Sequence, residues 1–598
     1  MTQRATIAAA IAVALIAPLL MPASYVVMAG YIGMYAIVAL GLVLLTGVCG
    51  LMSFGQAAFV GLGAYTSAVL ATRTDIPVVL AYIGSNAWLS LAFALLLTAF
   101  AAILIGLITL RLSGHFLALS TLAWGLSIYY LFGTLDLFGR YAGIGNIPSI
   151  SVLGFEFETP LSKFYLIAGF YLLAALAVRN LLDSRQGRAI STLKGGTLMA
   201  EAMGINVRWL RLCVFVIAAL LAALAGWLYA YSQQFVAPSP FSLHASINYV
   251  FMSVIGGIGH VWGTLVGAAT FTLLESWFQK DISRSLGLSG NLDQIVFGLA
   301  IFIIVLKRPQ GLWPLLMMIF DRTVPSWQRA KAIEPEPLSG RTLPRKDSVL
   351  LKVSQVSKHF GGLIANDRID LEVWAGQIVA LIGPNGAGKS TLFNCIAGTY
   401  PATAGEITFF DHRIDGLASR EIARLGLSRT FQHVRILPEM SVLENVAIGA
   451  HMRGRAGFLR CALRLDRDEE CKILGEAAYQ LRRVGLEDSA FMQAGAIALG
   501  SQRILEIARA LSTDPVLLLL DEPAAGLRFN EKQRLAEFLR QLKEEGLSIL
   551  LVEHDMEFLM SLADHVIVLE SGKKISEGTP QVVQRDPAVI DAYLGGVD

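Results

Sequence analysis

Charged residues are scarce in this chain, at 16% of its 598 residues, while hydrophobic residues reach 55%. The scarcity is concentrated in the first part, because between residues 5 and 110 the only charged side chains are Arg73 and Asp75. Residues 321–598, by contrast, have the composition of a soluble protein. A chain of this length can form two or more domains, each with its own core, and the uneven composition predicts domains of different kinds.

Strong net charge and patterned cysteines are lacking as well. The formal net charge is +2, and no basic stripe with interleaved aromatic residues occurs, so the sequence gives no support for a nucleic-acid partner. The five cysteines are odd in number, scattered and without metal-ligand spacing. We therefore predict reduced thiols that serve as small packing groups at positions 49, 213, 395, 461 and 471.

Long apolar runs dominate residues 1–320. A bilayer-spanning helix needs about 20 mainly apolar residues, and the candidates are residues 5–20, 25–45, 88–110 and 212–231, with 164–178 as a shorter case. Residues 1–24 could also be a cleaved signal peptide, because Arg4 precedes an apolar run that ends in small residues. The apolar pattern resumes at once after residue 24, which favours an uncleaved first span. We predict an all-α polytopic membrane domain.

The distribution of basic residues predicts the orientation of these spans. Arg111, the basic loop 179–208 and the pair Lys307-Arg308 fall inside by the positive-inside rule, and residues 136–163 fall outside. The pattern is self-consistent only if residues 250–271 enter the membrane and return. The glycine-rich centre of that stretch either breaks a helix beside a cavity or allows close helix packing, and the two interpretations stay open. His260 there is either a helix-end hydrogen-bonding residue or a substrate ligand.

Two connecting segments differ in composition from the apolar runs. Residues 187–211 form a long basic loop with a short helical stretch, 197–203, stopped by Gly204. This stretch either docks into a soluble domain or is a plain loop. Residues 321–348 contain four prolines and few apolar residues, which predicts an exposed tether. From Val349 onward, alternating β-rich and helical runs predict an α/β domain.

A phosphate-binding loop is the strongest single motif. GPNGAGKST follows the apolar run 378–382 and precedes a helical stretch, the strand–loop–helix context of a P-loop. Its glycines let backbone N–H groups face a polyphosphate at a helix N-terminus. We predict that Lys389 holds the β- and γ-phosphates and that Ser390 ligates Mg²⁺. The residues of this predicted ATP site are Gly383, Pro384, Asn385, Gly386, Ala387, Gly388, Lys389, Ser390 and Thr391.

Two further strand ends carry chemistry. VLLLLDEP delivers Asp521 and Glu522 to the end of an apolar strand. Asp521 is predicted to hold the metal through water, and Glu522 to polarise the attacking water as a general base. SILLVEHD ends near His554, which is predicted to sense the γ-phosphate.

These elements together resemble a known family. The glycine loop, Gln432, the stretch 497–511, Asp521-Glu522 and His554 follow the order of ABC transporter ATPases. TFQHVRILPEMSVLENV, DEPAAGL, EHDM and DPAVIDAYLGG resemble more closely the ATPase subunits of branched-chain (hydrophobic) amino acid importers. GLMSFGQAAFVGLGAYTSAVL, LSGHFLALSTLAWG and IGGIGHVWGTLVGA resemble the corresponding permease subunits. Since these are ordinarily separate polypeptides, the chain resembles a permease–ATPase fusion.

The resemblance implies an architecture and further site residues. It implies a permease domain over residues 1–320, a cytoplasmic linker over 321–348 and an α/β P-loop NTPase domain of ABC type over 349–598. Phe360 is expected to stack on the adenine, unless it is a core phenylalanine. Gln432 is expected to reach Mg²⁺ and the γ-phosphate while its loop contacts the permease. Residues 197–204 match the coupling segment of the family, although KGGT departs from its usual charged form.

The stretch 497–511 occupies the place of the ABC signature, Leu-Ser-Gly-Gly-Gln. The corresponding residues are Ile497, Ala498, Leu499, Gly500 and Ser501. In the family the serine hydroxyl binds the γ-phosphate of ATP held by the opposing ATPase. Ala498 removes that hydrogen bond, worth about 1.5–3 kcal/mol, although the serine is often alanine in the branched-chain subfamily. Gly500 and a predicted helix over 502–511 retain backbone donors and the helix dipole.

We therefore expect a heteromeric importer with asymmetric ATP sites. The expected partners are second permease and ATPase subunits, a periplasmic solute-binding protein, a small hydrophobic amino-acid-like substrate and the lipid bilayer of the bacterial inner membrane. The alternatives are a homodimeric exporter half-transporter, an importer of urea, amides or aromatic acids, and a membrane-tethered ATPase that transports nothing.

Overall fold

The computed structural model describes residues 16–73, 77–112, 114–152, 154–277, 292–308, 310–320, 336–346 and 348–594. It divides into two compact units, Met1–Leu182 with Arg208–Thr323, and Asp183–Val207 with Val324–Asp598. Most of the predicted span 5–20 and residues 321–335 of the linker lie outside the described residues.

The first unit is built of apolar helices. In chain order they are α1 (Ala23–Leu42), α2 (Gln56–Thr72), α3 (Val78–Gly84), α4 (Ala87–Thr109), α5 (His115–Thr134), α6 (Pro160–Leu182), α9 (Val207–Gln233), α10 (Leu243–Gly256), α11 (Gly263–Trp277), α12 (Leu292–Lys307) and α13 (Trp313–Phe320). Two short strands, β1 (Ser151–Val152) and β2 (Phe155–Glu156), form an antiparallel pair between α5 and α6.

Five helical stretches in the described part of the chain are long and apolar enough to cross a membrane: Ala23–Val48, Ala87–Thr109, His115–Thr134, Pro160–Leu182 and Val207–Gln233. The predictions for residues 25–45, 88–110 and 212–231 agree with three of them. The shorter predicted case, 164–178, extends to Pro160–Leu182. The helix His115–Thr134 was missed, because serine and threonine interrupt its apolar run.

The glycine-rich centre of residues 250–271 both breaks a helix and packs closely. Gly257 and Gly259 have φ values of +115° and +100°, conformations that end α10 before α11 begins. A Cβ atom on Gly267 would lie 1.9 Å from the Met252 carbonyl oxygen. The glycines therefore both break the helix and allow close packing, whereas the cavity expected beside the break stays a prediction. His260 donates its backbone N–H to the Gly257 carbonyl at 3.1 Å and accepts from the Gly263 N–H at 3.1 Å, so it bridges the two helices through its backbone.

The second unit contains an α/β core. Its strands are β3 (Val349–Phe360), β4 (Leu363–Trp374), β5 (Ile378–Ile382), β6 (Ala404–Phe409), β7 (His412–Arg413), β8 (Leu427–Arg429), β9 (Leu517–Asp521), β10 (Ser548–Val552), β11 (His565–Glu570) and β12 (Lys573–Gly578). One sheet has the order β12-β11-β5-β10-β9-β8, and the other has the order β4-β3-β6-β7. Strands β5, β9 and β10 are buried along their whole length and pair in parallel, so their carboxyl ends share one edge.

Helices of the second unit flank this core and form a separate layer. They are α7 (Arg185–Gly195), α8 (Thr197–Ala202), α14 (Lys389–Ile396), α15 (Ser419–Leu425), α16 (Val442–Gly449), α17 (Phe458–Ala462), α18 (Arg467–Arg483), α19 (Leu499–Leu511), α20 (Phe529–Glu544), α21 (Met556–Met560), α22 (Pro580–Val583) and α23 (Pro587–Leu594). Buried residues of α16, α18 and α19 share a hydrophobic cluster distinct from those around the sheets.

Two connecting segments belong to this second unit. The predicted basic loop contains two helices, α7 and α8, where only the second was expected, and Gly204 ends the second with φ +75°. The described part of the predicted tether, residues 336–346, is largely exposed as expected. Its backbone is nevertheless hydrogen-bonded to other parts of the unit, including Gly475 and Asp514.

The five cysteines are all free thiols, as predicted. Cys49, Cys395 and Cys461 are buried and Cys213 is half-buried, which fits the predicted packing role. For Cys471 that role was wrong, because its side chain lies on the exposed face of α18.

Candidate nucleotide site and docking segment

The glycine loop lies between β5 and α14, as the sequence predicts. Its tight course needs glycine at two positions. A Cβ atom on Gly383 would lie 2.0 Å from the Leu569 carbonyl oxygen, and one on Gly388 would lie 2.4 Å from the Ala365 carbonyl oxygen. Gly388 precedes the first residue of α14, so the free N–H groups of that helix open onto the loop.

Lys389 holds this loop together from within. Its buried ammonium donates to the carbonyl oxygens of Gly383 at 2.7 Å and Pro384 at 2.9 Å. Burial lowers the pKa of Lys389, and the nearby carboxylates of Glu522 and Asp521 oppose that shift. The ammonium therefore sits at the loop where a polyphosphate would supply stronger partners. Of the other loop residues, Asn385, Gly386 and Ser390 are exposed, Thr391 is half-buried and Ala387 is buried.

Glu522 contacts two other predicted site residues, Gln432 and His554. Its Oε1 accepts a hydrogen bond from Gln432 Nε2 at 3.0 Å and lies 3.2 Å from His554 Nε2. The residue adopts φ +51°, unusual for a side chain that is not glycine. Its backbone N–H donates to the Val552 carbonyl on the neighbouring strand at 2.9 Å. The parallel strands β9 and β10 thus bring Glu522 and His554 to one edge.

Asp521 is buried at the end of β9. Burial raises the pKa of its carboxyl, and Arg429 opposes the shift. Its backbone N–H donates to the Thr430 hydroxyl at 3.3 Å. Its Oδ1 atom is buried and has no hydrogen-bond partner within the described structure. An orphaned carboxylate oxygen of this kind fits the neighbourhood of a cation.

These residues fit a magnesium ion only if phosphate oxygens and water complete its coordination. Among the described residues, no group of three or more His, Cys, Asp or Glu side chains is placed to hold a metal ion. The exposed Ser390 hydroxyl, the Gln432 amide and the orphaned Asp521 oxygen are the available donors. Mg²⁺ commonly takes few protein ligands and completes its shell with phosphate oxygens and water.

An aromatic surface lies at the end of β3. Phe360 is 44% exposed, which rules out the alternative that it is a core residue. Its ring meets Tyr400 edge-on, with centroids 5.7 Å apart, and the Lys358 ammonium lies 5.0 Å from its centroid. The sequence prediction missed Tyr400 and Lys358. A signal for them existed, because Lys358 precedes Phe360 by two residues and Tyr400 follows the P-loop helix.

The signature stretch forms the N-terminus of α19. The predicted start at residue 502 was wrong, because the helix begins at Leu499 with Ala498 as its N-cap. Glycine and serine are tolerated in a first turn, where the backbone N–H groups need no intrahelical carbonyl. The first intrahelical bond runs from the Gln502 N–H to the Ala498 carbonyl at 2.9 Å, and Ala498 supplies no side-chain cap. Ile497 is buried, whereas Leu499 is 59% exposed.

Helix α19 is also hydrogen-bonded to the end of β9, where Glu522 lies near Gln432 and His554; this end of the sheet is termed the catalytic edge after its predicted role. Arg503 Nη1 donates to the Glu522 carbonyl at 3.0 Å. Further along the helix, the buried Arg509 pairs with Glu506 at 3.0 Å. Burial lowers the pKa of Arg509 and raises that of Glu506, while their mutual attraction opposes both shifts. The ion pair and its hydrogen bond offset part of the cost of burying both groups.

Helices α7 and α8, here termed the docking segment (Arg185–Ala202), pack on the helical layer. Arg188 forms a two-pronged ion pair with Glu470 of α18, one prong being 3.0 Å between Nη2 and Oε2. Arg185 donates to the carbonyl oxygens of His451 at 2.5 Å and Ala456 at 2.6 Å. Both arginines are buried, so their charges are matched by partners on the α/β unit.

The docking segment also contacts residues near Gln432. Arg509 Nη1 donates to the Arg435 carbonyl at 2.6 Å and lies 3.2 Å from the Met199 sulfur of α8. The Arg435 N–H donates to Glu506 at 2.8 Å. A continuous chain of contacts therefore runs from the Gln432 loop through the Glu506–Arg509 pair to Met199. Of the two interpretations left open for residues 197–203, docking is the one that the structure shows, and α7 with the contacts of its two arginines was missed.

Comparison with known proteins covers both units. A family model for the branched-chain amino acid transport system permease component matches residues 24–306. An ABC transporter model matches residues 366–525, and a model for the branched-chain amino acid ATP-binding cassette transporter matches residues 573–598.

Individual relatives resemble the C-terminal part. The high-affinity branched-chain amino acid transport ATP-binding protein LivG of Escherichia coli is 43% identical over 249 residues, which are 41% of this chain and 98% of LivG. BraF of Pseudomonas aeruginosa, also a high-affinity branched-chain amino acid transport ATP-binding protein, is 42% identical over 249 residues, which are 41% of this chain and 98% of BraF. The ADP conformation of an ATP-binding cassette of an ABC transporter is 31% identical, with 42% of this chain and 99% of that chain covered at a TM-score of 0.38.

Proposed function

The chain belongs to the branched-chain amino acid ABC transporters, as a fusion of permease and ATP-binding protein, and from this premise we propose that it imports branched-chain amino acids across the bacterial inner membrane. Its ATPase hydrolyses ATP and couples that hydrolysis to transport. A periplasmic binding protein would deliver the substrate, and a second permease and ATPase would complete the complex. The ATPase unit faces the cytoplasm in this arrangement.

The proposed nucleotide site assigns one task to each residue. The loop 383–391 binds the phosphates, with Lys389 exchanging its two carbonyl partners for phosphate oxygens. Phe360 stacks on the adenine, and the adjacent Tyr400 extends that surface. Ser390, Gln432 and Asp521 hold Mg²⁺, partly through water. The ion, when bound, neutralises phosphate charge during transfer.

Glu522 acts as the general base for the attacking water. Its carboxylate already accepts from Gln432 and lies against His554, so both neighbours fix its direction. The left-handed backbone at Glu522 and its bond to Val552 restrict it further. His554 senses the γ-phosphate by exchanging its contact with Glu522 for one with phosphate.

Coupling is proposed to follow the contacts of the Gln432 loop. A shift of Gln432 on nucleotide binding moves Arg435, which shares the Glu506–Arg509 pair with Met199 of the docking segment. Arg185 and Arg188 make that segment follow as a body, because their buried ion pairs and hydrogen bonds are costly to break. The observation that carries the proposal is this contact chain, which joins the ATP site to a segment inserted within the permease sequence.

The complex is proposed to be heteromeric with unequal ATP sites. The cis residues of this chain are present, whereas its N-cap Ala498 offers no hydroxyl to a partner's ATP. ATP on this chain would face the partner's signature. ATP on the partner would face Ala498 and the exposed Leu499, at a site that hydrolyses slowly or only holds nucleotide.

Vesicle transport tests the proposed direction and substrate class. The chain and its partner subunits are placed in vesicles with the ATPase outside and radiolabelled leucine with binding protein inside. Movement of leucine to the ATPase side on addition of ATP supports import. In a second vesicle set with the labelled leucine on the ATPase side, ATP-dependent accumulation inside supports an exporter. ATP hydrolysis without movement in either set supports the membrane-tethered ATPase. Competition by urea, amides and aromatic acids separates the substrate classes.

A further inference from the structure

The linker residues Glu336–Lys346, here termed the strap, are bonded to the ATPase unit through their backbone. The N–H of Glu336 donates to the Gly475 carbonyl at 3.3 Å, and the N–H of Leu338 donates to Glu476 Oε2 at 2.6 Å. Further along, the N–H of Arg341 donates to Asp514 Oδ2 at 2.7 Å. The strap therefore touches α18 in the helical layer and Asp514 just before β9.

Glu476 is the residue that receives the strap. Its side chain is only 3% exposed, yet it is a carboxylate. One oxygen accepts from Gln480 at 2.9 Å and pairs with Arg453 at 3.2 Å, while the other accepts from the strap. A buried carboxylate is costly unless its oxygens are paired, so undocking the strap would leave one oxygen without its partner.

Arg453 links the strap to the docking segment. Its guanidinium pairs with Glu476 and donates to the Ser339 carbonyl of the strap at 3.2 Å. Arg453 ends the 3-10 turn Ala450–Arg453. In the same turn, the His451 carbonyl accepts the 2.5 Å hydrogen bond from Arg185 of the docking segment. The same short turn therefore contacts the strap through Arg453 and the docking segment through His451.

We infer that the strap positions the turn Ala450–Arg453 so that its carbonyl receives Arg185, which makes the linker a working part of the coupling surface. The strap lies between the residues matched by the permease model, 24–306, and those matched by the ABC transporter model, 366–525. Its functional consequence, tighter coupling of hydrolysis to transport, rests on the proposed function. Its structural part, fixation of the docking segment, does not.

Amide hydrogen exchange on the full chain in nanodiscs tests the structural part. In the parent protein, peptides covering 336–343 should exchange more slowly than an unstructured reference. The variant Leu338→Pro removes the N–H that Glu476 accepts. It should raise exchange about tenfold in the strap and also in peptides covering 185–195 and 450–456. Thr342→Pro is the matched control, because the Thr342 amide donates no hydrogen bond among the described contacts.

The outcomes separate the inference from its alternatives. Free exchange of 336–343 in the parent would overturn it. The inference would also be overturned if Leu338→Pro raised amide exchange in the strap while residues 185–195 stayed protected. If Leu338→Pro does not fold, Arg453→Gln with the rescue variant Arg453→Lys gives the same readout.

Transport tests the functional consequence. In Leu338→Pro, the amount of leucine moved per ATP hydrolysed should fall about threefold or more, because losing one hydrogen bond to a charged group changes an equilibrium by more than that factor. Basal ATPase activity should stay near the parent value. A parent that exchanges as expected but moves no leucine would defeat the proposed function alone. An unchanged leucine-to-ATP ratio with a released docking segment would defeat the coupling role.

Discussion

The catalytic edge and the signature helix of this ATPase lie close together but are differently equipped. At the catalytic edge, side chains of Gln432 and His554 converge on Glu522, and Lys389 fills the phosphate loop. At the tip of α19, the capping position is Ala498 and no side chain caps the helix. Further along the same helix, Arg503 donates to the Glu522 carbonyl and Arg509 donates to the Arg435 carbonyl. The contrast therefore lies at the helix tip that we propose meets another ATPase, whereas the rest of the helix is hydrogen-bonded within the chain.

The strongest test of that contrast removes the base. Glu522→Gln should lower ATP hydrolysis by about 100-fold or more, because general-base catalysis typically contributes factors of that size, while ATP binding is retained. Phosphate release by the assembled complex measures the effect. Glu487→Gln, at an exposed carboxylate, is the control. The same loss from the equivalent substitution in the partner ATPase would contradict unequal sites.

A second test asks whether transport needs the docking segment to be held on α18. Arg188→Glu places a second carboxylate against the half-buried Glu470, and breaking a fully buried pair would cost about 3–5 kcal/mol as an upper bound. Coupled transport should be lost while ATP binding persists. The exchanged pair Arg188→Glu with Glu470→Arg should restore part of the transport, measured as leucine moved per ATP. No restoration would mean that the arginine acts by shape and not by charge.

A third test reinstates the missing cap. Ala498→Ser supplies an N-cap hydroxyl for α19, which stabilises a helix by about 1 kcal/mol, and a donor toward the partner's ATP. ATP-dependent association of the two ATPases should tighten about tenfold, since a hydrogen bond to a charged group contributes on that order. Ala496→Ser, in the preceding 3-10 turn, is the matched control. An equal gain from Ala496→Ser would place the effect outside the signature.

A last test concerns pH and the turn that holds Arg185. Burial, with the positive charges of Arg185 and Arg188, lowers the pKa of His451 to about 3. An unfolded histidine protonates near pH 6.5, so the stabilisation from a neutral His451 is complete above that value and is lost progressively toward pH 3. His451→Gln should flatten the pH dependence of thermal unfolding between these limits by less than about 1.4 kcal/mol per pH unit. An unchanged profile would exclude His451 as its source.

The sequence was most informative where chemistry is concentrated at strand ends. Asp521, Glu522 and His554 follow apolar strands, so their common edge could be inferred from the order of motifs alone. Helix α7 was missed because its burial depends on partners such as Glu470, which lies 282 residues away in the chain. The start of α19 was placed too late because Leu499, Gly500 and Ser501 read as a loop, although a helix N-terminus accepts them. The hydrogen bonds of the strap could not be predicted, because their donors are backbone N–H groups that nearly every residue type has.

The docking segment has a consequence for biosynthesis. Arg188 leaves the ribosome 282 residues before Glu470, with several membrane helices synthesised between them. At about 5–20 residues per second, this interval is roughly 14–56 s. During that time Arg185 and Arg188 of α7 exist without the surface that buries them. The packing of the docking segment therefore depends on residues made long after it, and it cannot be completed before α18 has been synthesised.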